Sequence, residues 1–300
     1  VDQSRAGPAS SGAGSNRLRR AGTYAALLPF FVYIGAFLLL PTLIVAVGAF
    51  QDAEGGATLA NIRLAFTQKT FVDAFARSIQ LSVVTALAGA ILGGLLAWAV
   101  AAGNPDGLLR HVVVAASGVL AQFGGVMLAF AFLATFGLSG LVTIFTHDVL
   151  GLDVLSGGTW IYGLTGLAVV YTYFQIPLML IVFLPAIEGL RKEWWDASAS
   201  LGGSGWAYWR HVGGPILAPS FLGAVLLLFT NAFSAYATAA ALISQGAPII
   251  PLQIRTALTS EVILGQANVG KALALGMVVV VAIVMAIYAV IQRRASKWLR

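Results

Sequence analysis

The 300-residue sequence has no cysteine, only three histidines, and charged side chains at just 9% of positions. Without cysteine there can be no disulfide, no thiolate metal ligand and no thiol nucleophile. His111, His147 and His211 are too scattered to make a helical metal pair, so no zinc site is expected. The serines lie in no nucleophile elbow, and no constellation of acids and bases forms a catalytic centre. The sequence therefore points to no enzyme chemistry, no catalytic residue and no bound metal in this chain. The scarcity of charge is also uneven. Asp, Glu, Lys and Arg are missing altogether from residues 24–50, 78–102, 112–138, 161–187, 216–243 and 272–291.

Each of those six stretches exceeds the roughly 20 residues that a helix needs to cross the hydrocarbon core. Helices are the expected form, because backbone groups in lipid must be satisfied within the segment. A hydrophobic content of 59% and a mean hydropathy of +0.90 agree with that reading. The expected fold is all-α, a polytopic membrane protein with six transmembrane helices over residues 22–292. Proton- and sodium-coupled transporters commonly keep ionisable groups inside the membrane. Here such groups are absent from the spans, so if the chain moves a solute uphill, the energy is expected to enter from outside it.

The basic residues set the orientation. Arg5, Arg17, Arg19 and Arg20 precede the first span, and Arg293, Arg294, Lys297 and Arg300 follow the last. Arg110 follows the second span, and Arg191, Lys192 and Arg210 follow the fourth. Basic residues collect on the cytoplasmic side, so both termini and the 188–215 loop are expected there. Residues 1–21, rich in Ser, Gly, Ala and Arg, read as a disordered basic cytoplasmic tail, and 293–300 as a second basic tail. The first apolar run is longer than a signal-peptide core and is read as a retained span. The net charge of +6 is thus a topology signal, with no reader fold for nucleic acid.

The most informative polar stretch is Trp194-Trp-Asp-Ala-Ser-Ala-Ser-Leu-Gly-Gly-Ser-Gly-Trp-Ala-Tyr-Trp-Arg-His-Val-Gly-Gly-Pro215. Glu193 to Leu201 suits a short helix with Trp194, Trp195, Ala197 and Leu201 as its contact surface, and Gly202, Gly203 and Gly205 permit a sharp turn with φ > 0. Trp206 to Val212 suits a second short helix, which Gly213-Gly214-Pro215 is expected to terminate before the fifth span. Such a knob would fit a groove on a soluble partner, with Asp196 offering a carboxylate across the contact. The bland alternative is an amphipathic loop lying on the lipid surface with its tryptophans at headgroup level.

Asp196, Ala197 and Ser198, followed by Gly202 and Pro215, resemble the cytoplasmic coupling loop of the membrane subunits of binding-protein-dependent ABC importers. In that family the pattern is Glu-Ala-Ala, then Gly, then Leu-Pro. Asp196 here stands where Glu is usual, and Gly214 where Leu precedes the proline. The resemblance implies a type I ABC importer permease fold. It implies coupling through Trp194, Asp196, Ala197, Ser198, Gly202, Trp209 and Pro215 to a cytoplasmic ABC ATPase dimer that binds ATP and Mg, so this chain itself holds no cofactor. It further implies a second permease subunit, an extracytoplasmic solute-binding protein, and a place in the bacterial cytoplasmic (inner) membrane. Phe229–Thr238, Pro251–Ile254 and Asn268–Gly276 resemble the spermidine/putrescine-type branch, which favours a second permease of different sequence and a polyamine or related small solute.

Polar side chains inside apolar spans either pair with one another or face a cavity. Gln122, Gln175, Asn231, Ser234, Tyr236 and Thr238 are the candidate pathway residues, the competing role being hydrogen bonds between helices. Asn231, Ser234 and Thr238 are spaced to share one helical face. Gly89 and Gly93 form a GxxxG pair suited to packing within the bundle or to a subunit contact. Pro177 and Pro185 each remove a backbone donor from the fourth span and are expected to bend it. Residues 265–272 mimic a phosphate-binding loop but lack its Ser/Thr, and read as the approach to the sixth helix. Two other functions stay open: a facilitator that works without an ATPase, and a membrane scaffold whose loop binds some other protein.

Overall fold

The computed structural model describes residues 28–149, 151, 156–243, 248–259 and 266–296. The two expected tails fall largely outside these ranges, although helix continues through residues 293–296. Among the described residues, six helical segments are long and apolar enough to cross a membrane: Leu28–Gly48, Lys69–Ala102, Gly125–Asp148, Leu164–Glu188, Gly205–Ser234 and Ala267–Val290. The chain is an all-helical polytopic membrane protein.

Helix α1 (Leu28–Gly48) contains a π-turn at Gly35–Leu39 and keeps most of its large apolar side chains exposed. A hairpin-like loop follows. It is closed by a Gln51–Ala57 bridge, by Asp52 Oδ1 accepting from the Glu54 and Gly56 amides, and by Gly55 at φ 88°. Asn61 and Asn268 both donate to the Gln51 carbonyl, at 2.7 and 3.0 Å, and so tie this loop to two helices. Helix α2 (Ala60–Thr67) leads into α3 (Lys69–Ala102), whose 34 residues reach roughly 50 Å at 1.5 Å per residue. That exceeds the hydrocarbon thickness, and the excess carries Asp73 and Arg77.

The next elements are α4 (Leu108–Gln122), α5 (Gly125–Phe136), α6 (Leu141–Asp148), a 3-10 turn (Ser156–Tyr162) and α7 (Leu164–Glu188). After them come α8 (Lys192–Ser200), α9 (Gly205–Ser234, with a π-turn at Trp209–Gly213), α10 (Ala237–Leu242), α11 (Ile250–Thr259) and α12 (Gln266–Ser296). The spine is α3 against α7. A Cβ on Gly89 would stand 2.5 Å from Gln175 Cβ, and one on Gly93 would stand 2.6 Å from Met179 Cβ. The GxxxG pair therefore brings two helices of the same chain into backbone contact, the packing role expected of small residues in lipid. The lookalike of a phosphate loop is helical from Gln266 onward, with Gly270 against Leu258.

Three expectations fail in informative ways. Residues 112–138, read as one helix, divide into α4 and α5 at Phe123-Gly124, because Gly125 sits at φ 66°, outside the helical region. Residues 216–243, also read as one helix, divide into α9 and α10, since Ala235 turns extended (ψ 105°). Gly213-Gly214-Pro215 terminates nothing: α9 runs through it. The π-turn lets the Gly214 amide reach back to the Trp209 carbonyl, accommodating a proline that has no donor of its own.

Candidate functional site: the knob and the broken helices

The knob begins where α7 ends. α8 closes with Gly202 at φ 77°, its amide bonding the Ala199 carbonyl while the Gly203 amide bonds the Ser198 carbonyl, both at 2.9 Å. This is the Schellman arrangement, and it satisfies carbonyls that the helix end would otherwise orphan. A Cβ on Gly203 would lie 2.7 Å from Ser198 Oγ, so the second glycine is fixed by space and the first by angle. Ser204 caps α9 by accepting from the Ala207 amide.

Aromatic contacts close the two helices on each other. Trp195 meets Tyr208 edge-on at 4.9 Å between ring centres, Tyr208 meets Trp209 at 5.6 Å, and Arg191 lies 5.9 Å from the Trp194 ring. Tyr208 is buried and Trp209 half-buried, so these two build the knob. Its outer surface is different: Leu201 is 89% exposed and Trp206 73%, with Asp196, Ala197, Gly202 and Pro215 also exposed. Trp194 and Ser198 are half-buried between the two roles. Leu201 lies at the surface, where the sequence places a contact residue, while Trp206 and the pairing of Trp195 with Tyr208 are added by the structure. The apolar type of Trp206 within a polar loop was its only sequence signal.

The two helix breaks are neighbours. A Cβ on Gly125 would rest 3.6 Å from Ala237 Cβ, and α5 packs along α10. Gln122 ends α4 on one side of this contact, and Ser234 and Tyr236 flank Ala235 on the other; Ser234 and Asn231 are exposed, Gln122 and Tyr236 at least partly so. The Ser234 hydroxyl donates to the Thr230 carbonyl at 2.9 Å. Thr238, in contrast, is buried. The break between Ser234 and Thr238 cancels the shared face that unbroken helical spacing implies. Tyr171, from the fourth span, donates its hydroxyl to the freed Ala235 carbonyl at 2.5 Å.

Gln175 lies in the α3–α7 seam, fully buried, its Nε2 donating to Thr85 Oγ1 at 2.9 Å. Thr85 belongs to a buried row with Ser82 and Ser78. Ser82 donates to the Ser78 carbonyl, and Ser78 Oγ accepts the Ile250 amide that opens α11. The spacing 78, 82, 85 on one helical face was readable in the sequence; its partners on α7 and α11 were not. Here Gln175 hydrogen-bonds between helices, in the second of the two roles weighed for it. Each described histidine makes a local contact: His111 with the Gly107 carbonyl, His211 with the Ala207 carbonyl, and His147 with Asp148.

Known proteins fit this picture. The thiamine transport system permease protein ThiP of Haemophilus influenzae is 29% identical over 177 residues, 48% of this chain but only 32% of the relative. The chain thus spans about a third of that protein's length. A spermidine/putrescine transport system permease protein PotC homolog of Mycoplasma pneumoniae is 26% identical over 69% of this chain and 71% of the relative. The inner membrane ABC transporter permease protein YdcU of Escherichia coli is 28% identical over 58% of each. A bacterial ABC transporter that imports alginate superposes with a TM-score of 0.75 at 17% identity, over 93% of this chain and 98% of its own. The methionine ABC transporter MetNI superposes at 0.52 and 15% identity, over 76% and 99%. No protein-family model matches the chain. The fold is that of an ABC importer permease, and the sequence resembles permease subunits of ABC transporters.

Proposed function

We propose that this chain is the transmembrane permease subunit of an ATP-driven importer in a bacterial inner membrane, with both termini and the knob in the cytoplasm. The observation that carries this reading is the knob. It is the short helix α8 folded against the start of α9, which presents Leu201, Trp206 and Asp196 outward and is continuous, through α9, with the fifth span. A loop merely floating at a lipid surface needs neither the Schellman turn nor the helical fusion to α9.

In this reading two ATPase subunits bind ATP and Mg, close on each other, and push the knob. α9 carries the displacement to the paired breaks at Phe123-Gly124 and Ala235, and the bundle opens outward to a solute-binding protein. Gln122, Asn231, Ser234 and Tyr236 contribute to half of the pathway, the other half coming from a second permease of different sequence. The cargo is a small polar solute. The resemblance to the PotC homolog supports a polyamine or a related compound.

Gentle purification from the native membrane, with mass spectrometry of everything recovered, tests the assembly. A Walker-motif ATPase and a second six-span permease are the expected companions. Recovery of the chain alone, still moving solute in ATP-free vesicles, would replace this reading with that of a facilitator.

A further inference from the structure

Glu188 is the last residue of α7 and stands just before the knob. The Arg110 guanidinium, in the first turn of α4, donates to its carboxylate across 78 residues of sequence. The two side chains are 23% and 37% exposed, so the pair is partly shielded from the solvent that weakens open surface bridges.

The two ends of the knob are fastened by different means. Downstream, α9 is continuous from Gly205 to Ser234, and Trp195 on Tyr208 closes α8 against it. Upstream, α8 joins α7 through Gly189-Leu190-Arg191, where the helix is interrupted. The Arg110–Glu188 pair braces that interruption against α4. Helix α4 is in turn severed from α5 at Phe123-Gly124; α4 packs on α7, whereas α5 packs chiefly on α10. A displacement reaching Glu188 can therefore move α4 without dragging α5.

We propose that Arg110 is a positioning residue: its ion pair with Glu188 holds the upstream end of the knob to α4, so that the knob drives α4, the near half of the divided 112–138 run. The purpose of this brace rests on the importer reading, but its geometry does not.

The absence of cysteine allows nitroxide labels at Leu201→Cys and Val112→Cys, both exposed positions, to report the knob-to-α4 distance in the full chain in lipid nanodiscs. Arg110→Glu and Glu188→Arg each broaden the distance distribution, and combining them restores a single narrow one. Arg110→Lys keeps the charge and keeps the narrow distribution. In the complete importer, the single reversals lower solute moved per ATP about fivefold or more, with unchanged ATPase recovery, and the swap recovers it. An unbroadened distribution in the single variants, no recovery in the swap, or equal broadening by Arg110→Lys overturns the proposal. The distance measurement needs no ATPase. A wild-type chain that recovers no ATPase removes the importer reading and leaves the distance result standing.

Discussion

The hydroxyl of Tyr171 on the fourth span donates to the carbonyl of Ala235 at 2.5 Å, at the residue where the helix of the fifth span stops. A carbonyl released from a helix inside an apolar bundle needs a partner, and this one comes from 64 residues away. Tyr171→Phe removes the donor and leaves the carbonyl without it. We expect a loss of about 1 kcal/mol, read as a lower unfolding temperature in detergent, and a changed transport rate. Unaltered stability and transport would mean that the break needs no such support.

Gly202 tests the turn of the knob. Gly202→Val has to adopt φ near 77° with a β-branched side chain, whereas Gly202→Asn tolerates it. Valine is expected to weaken ATPase binding roughly tenfold, matching a strain of about 1–2 kcal/mol, and asparagine to change it little. Equal binding by both variants would show that the turn is not needed for docking.

The α3–α7 seam should discriminate between adjacent glycines. Gly93→Leu, with no room for even a Cβ, is expected to cost about 1–3 kcal/mol by overpacking. Gly94→Ala, whose Cβ would lie 3.6 Å from Phe221, should be nearly neutral. Thermal unfolding of the two variants side by side checks this, and equal losses would contradict the seam.

Polar residues of the spans should divide by exposure. Asn231→Leu, at an exposed position, is expected to impair uptake while leaving assembly intact. Gln175→Leu, in the buried seam, should lower stability by severing the bond to Thr85. Normal uptake by Asn231→Leu would remove that face from the pathway.

Much of this architecture was legible in the sequence because lipid imposes long uncharged runs, and because a knob between two of them needs glycine at its turn. The breaks were not, for two different physical reasons. At Gly124-Gly125 a local signal existed, a glycine pair, but an apolar run of span length outweighed it. At Ala235 there was no local signal, since the carbonyl is satisfied by Tyr171 from another helix. The passage of α9 through Gly214-Pro215 depended on a π-turn that no residue spacing announces. The brace from Arg110 to Glu188 joins residues too distant in sequence for any pattern to pair.

The central claim, that the exposed face of the knob docks on an ATPase, is tested most directly by cross-linking from that face. A single cysteine at Leu201 in the otherwise cysteine-free chain, carrying a photoactivated benzophenone, is illuminated in native membranes and its adduct is identified by mass spectrometry. A Walker-motif ATPase joined at that position, and not from a cysteine at Leu138 beyond the breaks, is the predicted result. Adducts with lipid alone from Leu201, in membranes that transport normally, would contradict it.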